Sequence, residues 1–280
     1  MKGFNNIGNT CYLNSGLQML IRNKDLCKII YQYSNTDEDI NNVCDFIKEY
    51  YDESHAGPIT PKFIKNLVSK KNDMFSGFQQ HDSMEFINFL LDTINEKINK
   101  SSSKKDLIYK LFQYNLEVKI KCKLLACLNV SKHTELPSIM MLDINSNTST
   151  LDDLYKNMLK KEKLEGDSKY YCEKCKANRI ASKRMNILNF PKHLIIWVKR
   201  FKANMRKNTQ HIEFPLQWIN NYTLQGVVFH SGDTYGGHYV YVGKEHNKWY
   251  LFDDSCVSEL NNDALQIFLN SGYIYYYKTH

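Results

Sequence analysis

The chain has 280 residues, of which 42% are hydrophobic, enough for one large domain or two small ones. It contains no apolar run of about eighteen residues and no apolar leader after Met1, so we expect neither a membrane span nor a secretory signal. The formal charge is +7, but acidic residues are interspersed with the basic ones along most of the chain. Charge alone therefore does not predict a nucleic-acid or membrane partner. Eight cysteines, four of them in two close pairs, favour a reducing compartment, the cytosol or nucleus.

Helical periodicity dominates the first hundred residues. Apolar residues recur at helical spacing after Thr10, a plausible N-cap directly before Cys11, and again over 40–50, after 60–61 and over 81–100. The serine and lysine run at 101–105 has the composition of a linker. We therefore predict a helical lobe over residues 1–105.

The period changes to two beyond this linker. Residues 115–122 alternate apolar and polar side chains, and further strands are predicted at 139–144, 194–198, 226–229, 238–242, 249–252 and 273–277. One helix interrupts them, beginning at Thr150 with Asp153 three residues later, which is a capping-box arrangement. The layout predicts an α+β fold in which a mostly antiparallel β lobe occupies residues 106–280.

Cys11 lies at the predicted start of the first helix. The helix dipole and the free backbone N–H groups there favour the thiolate, which is the nucleophilic form of cysteine. Asn6 lies five residues upstream, and the Gly8-Asn9-Thr10 segment allows a tight turn that would point the Asn6 amide at an oxyanion. A cysteine at a helix start is often only a small buried residue, so the catalytic interpretation requires a base elsewhere.

A candidate base is His238, which opens a predicted strand after Gly236-Gly237. The two glycines allow close approach of another backbone or of a substrate tail. Asp253 ends the next strand fifteen residues later, where an antiparallel hairpin would place it beside His238. Cys11, His238 and Asp253 would then form a papain-like set of nucleophile, base and orienting carboxylate. His230 is a rival base that the spacing does not exclude.

Five blocks of the sequence resemble the ubiquitin-specific protease family, in that family's order and over nearly the whole chain. They are 3–15 around Cys11, 78–86 around Asp82, a middle region of 170–175, 191–194 and 199–201, then 230–239 and 249–255. The resemblance implies a papain-like cysteine protease fold, with one catalytic domain over 1–280. Within it, a mostly α thumb would span 1–105 and a β palm 106–280, with fingers around 115–135 and 165–188.

The resemblance also implies a deubiquitinase that hydrolyses the (iso)peptide bond after the last glycine of ubiquitin through a covalent thioester. Asp82 and Glu85 would bind an arginine of the ubiquitin tail, since their spacing at a helix start puts both carboxylates on one face. Two solvated helix charges are the alternative for this pair. The implied substrate-binding set further contains Gln80, Gly237 and Tyr239, and the supporting residue Asp254 would assist the oxyanion or the histidine.

Two cysteine pairs predict a structural zinc site. Cys172-x2-Cys175 and Cys122-x4-Cys127 can close a tetrahedral set of four thiolates. Four intervening residues make the first pair a looser knuckle, which leaves ligation by Cys122 open. A thin β finger has little core of its own, so a metal would contribute on the order of 10 kcal/mol to its folding. Four reduced cysteines without metal are the alternative, and no cofactor is expected for catalysis.

Three other functions compete with an active deubiquitinase. They are a catalytically weak ubiquitin-binding pseudoenzyme, a protease for a ubiquitin-like modifier, and a nucleic-acid binder that uses the basic stretch 199–207. We interpret that stretch as a solvated loop. We expect a monomer whose partners are ubiquitin and ubiquitinated proteins, without nucleic acid or membrane. The chain starts ten residues before Cys11 and ends just after the last strand, so no further targeting or ubiquitin-binding segment is expected.

Overall fold

The computed structural model describes residues 1–201, 206–233 and 235–279. Among these residues every helix is too short or too polar to cross a bilayer. The α-helices are α1 Cys11–Ile21, α2 Lys24–Gln32, α3 Glu38–Tyr51, α4 Lys62–Lys71, α5 Ser83–Ser101, α6 Leu107–Phe112, α7 Leu151–Met158 and α8 Asn262–Ser271. The strands are β1 Asn115–Cys122, β2 Val130–Glu135, β3 Ile139–Asp143, β4 Glu162–Leu164, β5 Tyr170–Cys172, β6 Ala177–Arg179, β7 Ala181–Asn189, β8 His193–Lys199, β9 Gln217–Trp218, β10 Tyr222–Gly232, β11 Gly237–Glu245, β12 Lys248–Asp253, β13 Cys256–Leu260 and β14 Ile274–Lys278.

Helices α1 to α6 form a helical lobe. Side chains at several of their starts accept hydrogen bonds from first-turn N–H groups, as Asn23 does for α2, Asp37 for α3 and Asp82 for α5. The sequence pattern does not predict α2 and α6, because nine and six residues are too few for a helical period to emerge. The boundary at residue 105 stays a prediction, and α6 beyond it packs Ile108 and Phe112 into the core of the helical lobe.

A large sheet occupies most of the remaining chain and confirms the α+β fold. Its strand order is β13-β12-β11-β10-β14-β8-β3, with β9 beside β10. Strand β3 runs parallel to β8, and the other neighbours in this sheet are antiparallel. Helix α1 packs against β11, so the helix that begins at Cys11 lies on the strand that begins at Gly237.

Both faces of this sheet are buried at β8. Along β8, Leu194, Ile196 and Val198 belong to a core shared with α7 and α8, whereas the intervening Ile195 belongs to a core shared with the helical lobe. Successive strand residues point to opposite faces, so a strand between two cores is apolar throughout. This explains the continuous apolar run at the predicted strand 194–198.

A second sheet has the order β2-β1-β7-β4, and β5 pairs with β6 in a separate hairpin. These strands fall largely within the expected fingers. Leu116 and Val118 of β1 are buried on one face, in agreement with the predicted alternation. The predicted capping box is confirmed, since the Thr150 and Asp153 side chains each accept from the other residue's backbone N–H at the start of α7.

The basic stretch at 199–207 is not simply the solvated loop that its composition predicts, although 202–205 lie outside the described residues. Arg200 is 1% exposed. Its guanidinium donates to the backbone carbonyls of Gly272, Asn208, Gln210 and Asn270. A buried cation needs such acceptors, and two of them, Asn270 and Gly272, come from a distant segment that composition does not reveal.

Candidate active site

Cys11 is the first residue of α1 and is 3% exposed. The loop before it turns through Gly8 and Asn9, which both have a positive φ. Thr10 occupies the N-cap position, but among the described residues its side chain makes no capping bond; the hydroxyl accepts from the backbone N–H of Ile7 instead. The first N–H groups of α1 are therefore left uncapped and can donate to a negative charge that develops beside the sulfur.

Asn6 is held in the loop that precedes Cys11. Its side-chain carbonyl accepts from the backbone N–H groups of Gly8 and Thr10, both at 3.1 Å. Its Nδ2 donates to the Asp254 carboxylate at 2.8 Å. An amide nitrogen carries two hydrogens, so this bond leaves the second for another acceptor.

His238 and Asp253 meet across the hairpin of β11 and β12. The imidazole Nε2 lies 2.6 Å from Asp253 Oδ1, which leaves Nδ1 as the nitrogen for Cys11. The hydrogen bond with Cys11, and then that with Asp253, raise the pKa of His238 to about 9 although burial opposes them. An imidazole with this pKa is protonated at neutral pH, and it can stabilise a thiolate at the adjacent sulfur.

Asp254 lies in the turn after β12 and binds the segment around Cys11. Its carboxylate accepts from Asn6 and, at 2.7 Å, from Asn14 Nδ2, and its backbone oxygen accepts from Phe4 N at 2.8 Å. The prediction from sequence omits Asn14, which is 2% exposed. It follows Cys11 by three residues, and that spacing on one helix face is the signal that identifies it.

Asp82 is the N-cap of α5. Its Oδ1 accepts from the backbone N–H groups of Met84 at 2.7 Å and Glu85 at 3.1 Å, and its Oδ2 accepts from the hydroxyls of Tyr239 and Tyr273. Partial burial and the nearby Asp82 raise the pKa of Glu85. Asp82 therefore has a structural role in addition to any contact with a ligand. Glu85 is more exposed, so its carboxylate is the more accessible of the two for binding a cation.

A cavity of about 690 Å³ extends from Cys11 between the helical lobe and the large sheet. Its lining includes the carboxylates of Asp82 and Glu85 and the aromatic rings of Trp197 and Phe201. Carboxylates beside apolar walls suit an extended peptide that carries basic and apolar side chains.

The side chain of Gln80 bridges this cleft to Gly237. Its Nε2 donates to Gly237 O and its Oε1 accepts from Gly237 N, both at 3.1 Å. A Cβ on Gly237 would lie 2.1 Å from Ser231 O and 2.3 Å from His230 Nε2, so packing requires glycine here. This pair of bonds, which we call the Gln80 bridge, joins the helical lobe to the residue before His238.

The rival base His230 has a different environment. Its Nδ1 accepts from Lys207 Nζ at 3.0 Å, and Lys207 also donates to two backbone oxygens of the same strand. Burial and then Lys207 lower the pKa of His230 to about 4. Because Asp253 contacts His238, and His230 is paired with a cation, the geometry favours His238 as the base.

The two cysteine pairs come together beside the ends of β1 and β5. The sulfur atoms of Cys122, Cys127, Cys172 and Cys175 all lie within 4.8 Å of one another. Those of Cys127 and Cys172 are 3.7 Å apart, near the spacing of about 3.8 Å expected around a tetrahedral zinc ion with bonds of about 2.3 Å. Cys122 belongs to the set despite the longer knuckle. The donor set fits a structural zinc ion.

The family model for ubiquitin carboxyl-terminal hydrolase matches residues 2–277. Ubiquitin carboxyl-terminal hydrolase 4 of Arabidopsis thaliana is 30% identical, over 98% of this chain and 89% of that protein. Ubiquitin carboxyl-terminal hydrolase 12 of Salmo salar is 28% identical, over 99% of this chain and 89% of that protein.

Two solved structures of the SAGA DUB module Ubp8/Sgf11/Sus1/Sgf73 share the fold. The first, bound to monoubiquitin, has a TM-score of 0.82 at 24% identity and covers 100% of this chain and 69% of its own. The second, bound to ubiquitin aldehyde, has a TM-score of 0.81 at 25% identity and covers 100% of this chain and 70% of its own. These matches agree with the α+β fold described above.

Proposed function

Since the chain belongs to the ubiquitin carboxyl-terminal hydrolase family and is thereby a cysteine-type deubiquitinating peptidase, we propose that it cleaves after the last glycine of ubiquitin with a Cys11–His238–Asp253 triad. The observation that carries the proposal is the position of His238. One ring nitrogen contacts Asp253 at 2.6 Å, and the hydrogen bond with Cys11 is the largest cause of its raised pKa.

The proposed reaction begins with attack by the Cys11 thiolate on the carbonyl carbon of the terminal glycine. The His238 imidazolium gives its proton to the leaving amine as the C–N bond breaks, and a thioester remains on Cys11. The neutral imidazole then takes a proton from water, which attacks the thioester. The products are the ubiquitin carboxylate and the regenerated pair.

The proposed oxyanion site consists of Asn6 and the uncapped N–H groups of α1. A donor of this kind contributes roughly 3 to 4 kcal/mol to transition-state stabilisation in comparable sites. Asp254 supports it indirectly, because its carboxylate holds the Asn6 amide in place. Asp253 orients the imidazole, so the two neighbouring aspartates have different proposed roles.

We place the ubiquitin tail, Leu-Arg-Leu-Arg-Gly-Gly, in the 690 Å³ cavity. Asp82 and Glu85 would face an arginine there, with Glu85 the freer of the two. Gln80, Gly237 and Tyr239 would contact the tail near the scissile bond. Support for this placement comes from the acidic and aromatic lining together with the crowded backbone at Gly237.

Cys122, Cys127, Cys172 and Cys175 would hold a structural zinc ion, which when bound closes the tip of the small sheet without taking part in catalysis. We further propose a monomer that acts in the cytosol or nucleus on ubiquitinated proteins, without nucleic acid or membrane. The eight cysteines, all within the described residues, are free thiols, which supports a reducing compartment.

The proposal is tested by incubating the purified chain and its Cys11→Ala variant with isopeptide-linked di-ubiquitin and with an electrophilic ubiquitin C-terminal probe. We expect cleavage and labelling by the wild type, with both lost but ubiquitin binding kept in the variant. Binding without cleavage by the wild type would indicate the pseudoenzyme. Labelling by a probe of a ubiquitin-like protein in preference to ubiquitin would indicate the other protease.

A further inference from the structure

A second cavity, of about 530 Å³, lies at the ends of α1 and β11 that are remote from the catalytic residues. Its charged lining consists of four cations and one carboxylate, and we call it the basic pocket: Arg22, Lys24, Lys244, Lys278 and Glu245. The volume falls within the range of about 300 to 1,000 Å³ that is usual for small-ligand sites. The basic pocket thus combines the size of a small-molecule site with an excess of positive charge.

The basic pocket is separate from the cleft at Cys11. Helix α1 begins at Cys11 and ends just before Arg22, so these two residues are about 16 Å apart along the helix axis. Strand β11 likewise begins beside His238 and ends at Glu245. Among the residues that the structure describes, none lines both cavities. A ligand in the basic pocket would therefore leave the active-site cleft free.

The carboxylates near the basic pocket already have partners. Arg22 forms an ion pair with Glu245, and Lys278 Nζ lies 3.6 Å from Asp25. Asp25 lies outside the lining and is shared, because Lys192 Nζ contacts the same carboxylate oxygen at 2.9 Å. These pairs leave the two remaining lysines of the lining without a counter-charge.

Lys24 and Lys244 are therefore the residues that indicate a ligand. Within 1–201, 206–233 and 235–279, neither ammonium group forms an ion pair or a hydrogen bond with the protein. A cavity lined mainly by one sign of charge concentrates the field and attracts counter-ions. An anion that lies between the start of α2 and the end of β11 would satisfy both ammonium groups.

Uncharged polar side chains complete the lining. Thr223 Oγ1 donates to Gln217 Oε1 at 3.1 Å, which leaves the amide hydrogens of Gln217 available to a ligand. Asn247 adds a second side-chain amide. A phosphate group suits such a set better than a carboxylate, because it accepts with three oxygens and carries more charge.

We propose that the basic pocket binds a small anion with two or more phosphate groups, with Lys24 and Lys244 as its main ligands. More than one phosphate group is required because the cations belong to separate elements around a cavity that is larger than a single phosphate. Arg22 and Lys278 strengthen the field, and the amides donate to the remaining oxygens. Such a ligand joins α2 to β11 and stabilises the folded chain.

Isothermal titration calorimetry of the purified chain with inorganic triphosphate and with orthophosphate, at one ionic strength, tests this site. We expect one triphosphate to bind per chain, at least tenfold more tightly than orthophosphate. In the double variant Lys24→Gln/Lys244→Gln the Kd for triphosphate should rise at least tenfold. Its melting temperature without ligand should stay at the wild-type value, because the two ammonium groups have no partner in the part of the chain that is described.

The double variant Lys70→Gln/Lys100→Gln is the matched control. It removes the same charge, and its two lysines are exposed and line a different cavity. Its Kd for triphosphate should stay within twofold of wild type. Equal losses in the two double variants would overturn the inference, since they would show attraction by net charge alone. Absence of triphosphate binding to the wild type would also overturn it, as would tighter binding of a hexaglutamate peptide than of triphosphate.

Discussion

Asn14 and Asp254 are 240 residues apart in sequence and 2.7 Å apart at their side-chain atoms. The Asn6 amide binds the other oxygen of the same carboxylate, and the backbone N–H of Phe4 binds the Asp254 carbonyl. One residue of the turn between β12 and β13 thus fixes the position of the segment that carries Cys11. Because Asp253 precedes it, the same turn also locates the carboxylate that orients His238.

Replacement of Asn14 by alanine should therefore impair catalysis, although we expect no contact between the Asn14 side chain and the substrate. A hydrogen bond to a charged group contributes about 1.5 to 3 kcal/mol, and we expect the free energy of unfolding to fall by about that amount. We expect kcat to fall by roughly 10- to 100-fold, with KM changed by no more than about twofold. Steady-state kinetics with ubiquitin aminomethylcoumarin and denaturant unfolding provide the measurements.

Asn5→Ala is the control for this variant, because the Asn5 side chain lies in the same segment but donates to Thr60 rather than to Asp254. It should keep kcat within about threefold of wild type. Equal losses in the two variants would contradict the role of the Asn14–Asp254 bond.

The raised pKa of His238 depends mainly on Cys11 and should fall when the thiol is removed. In Cys11→Ala we expect the imidazole to titrate near or below the ordinary value of about 6.5, instead of about 9, because burial is then opposed by Asp253 alone among the causes named. NMR titration of the histidine ring resonances measures this directly. In the wild type, kcat/KM for ubiquitin aminomethylcoumarin should decline as the pH passes about 9 and the imidazolium loses its proton. A His238 that still titrates near 9 in the variant would show that Cys11 is not the main cause of the raised pKa.

Much of the site follows from local sequence patterns. Cys11, His238 and Asp253 each lie at the end of a regular element, where a period in the sequence begins or stops, and the hairpin that joins the last two is a local structure. The remaining features depend on distant partners. Nothing near Asn14 in the sequence shows that it meets Asp254, and two acceptors of the buried Arg200, Asn270 and Gly272, also come from another segment.

Element length sets a second limit on prediction. Strands β4, β5 and β6 have three residues each, and a period of two cannot be distinguished over so short a run. Asp82 shows a related difficulty. Its position before a helix predicts an N-cap as readily as a ligand contact. In the structure Oδ1 caps α5, and Oδ2 accepts hydrogen bonds from the hydroxyls of two tyrosines.

Metal analysis should find about one zinc ion per purified chain. Cys175→Ser should reduce this to well below half an ion and lower the melting temperature, because three thiolates bind zinc more weakly than four. Cys256→Ser is the matched control, since Cys256 is an exposed thiol that is not among the clustered sulfurs, and it should retain the metal. A wild-type preparation with far less than one zinc ion would exclude the site.

Acid should destabilise the fold through His193, which is fully buried between Asp25 and Tyr276. Burial lowers the pKa of His193 to about 4, whereas the unfolded chain binds this proton near pH 6.5. Between these values the unfolded state holds more protons, so the free energy of unfolding should rise with pH. The contribution is up to about 3 kcal/mol between pH 4 and 6.5.

Denaturant unfolding at pH 4.5, 5.5 and 6.5 measures this dependence. His193→Gln should flatten it, and substitution of the exposed His246 by glutamine should leave it unchanged. An equally steep dependence in His193→Gln would show that other groups control acid stability.

Asp254 also joins the first part of the chain to the last. Its carboxylate binds the side chains of Asn6 and Asn14, and its backbone oxygen binds Phe4 N, so three bonds to the start of the chain depend on one turn. A proteolytic cut or an insertion in this turn would therefore release the segment around Cys11 from the large sheet, although the break would lie near the other end of the sequence.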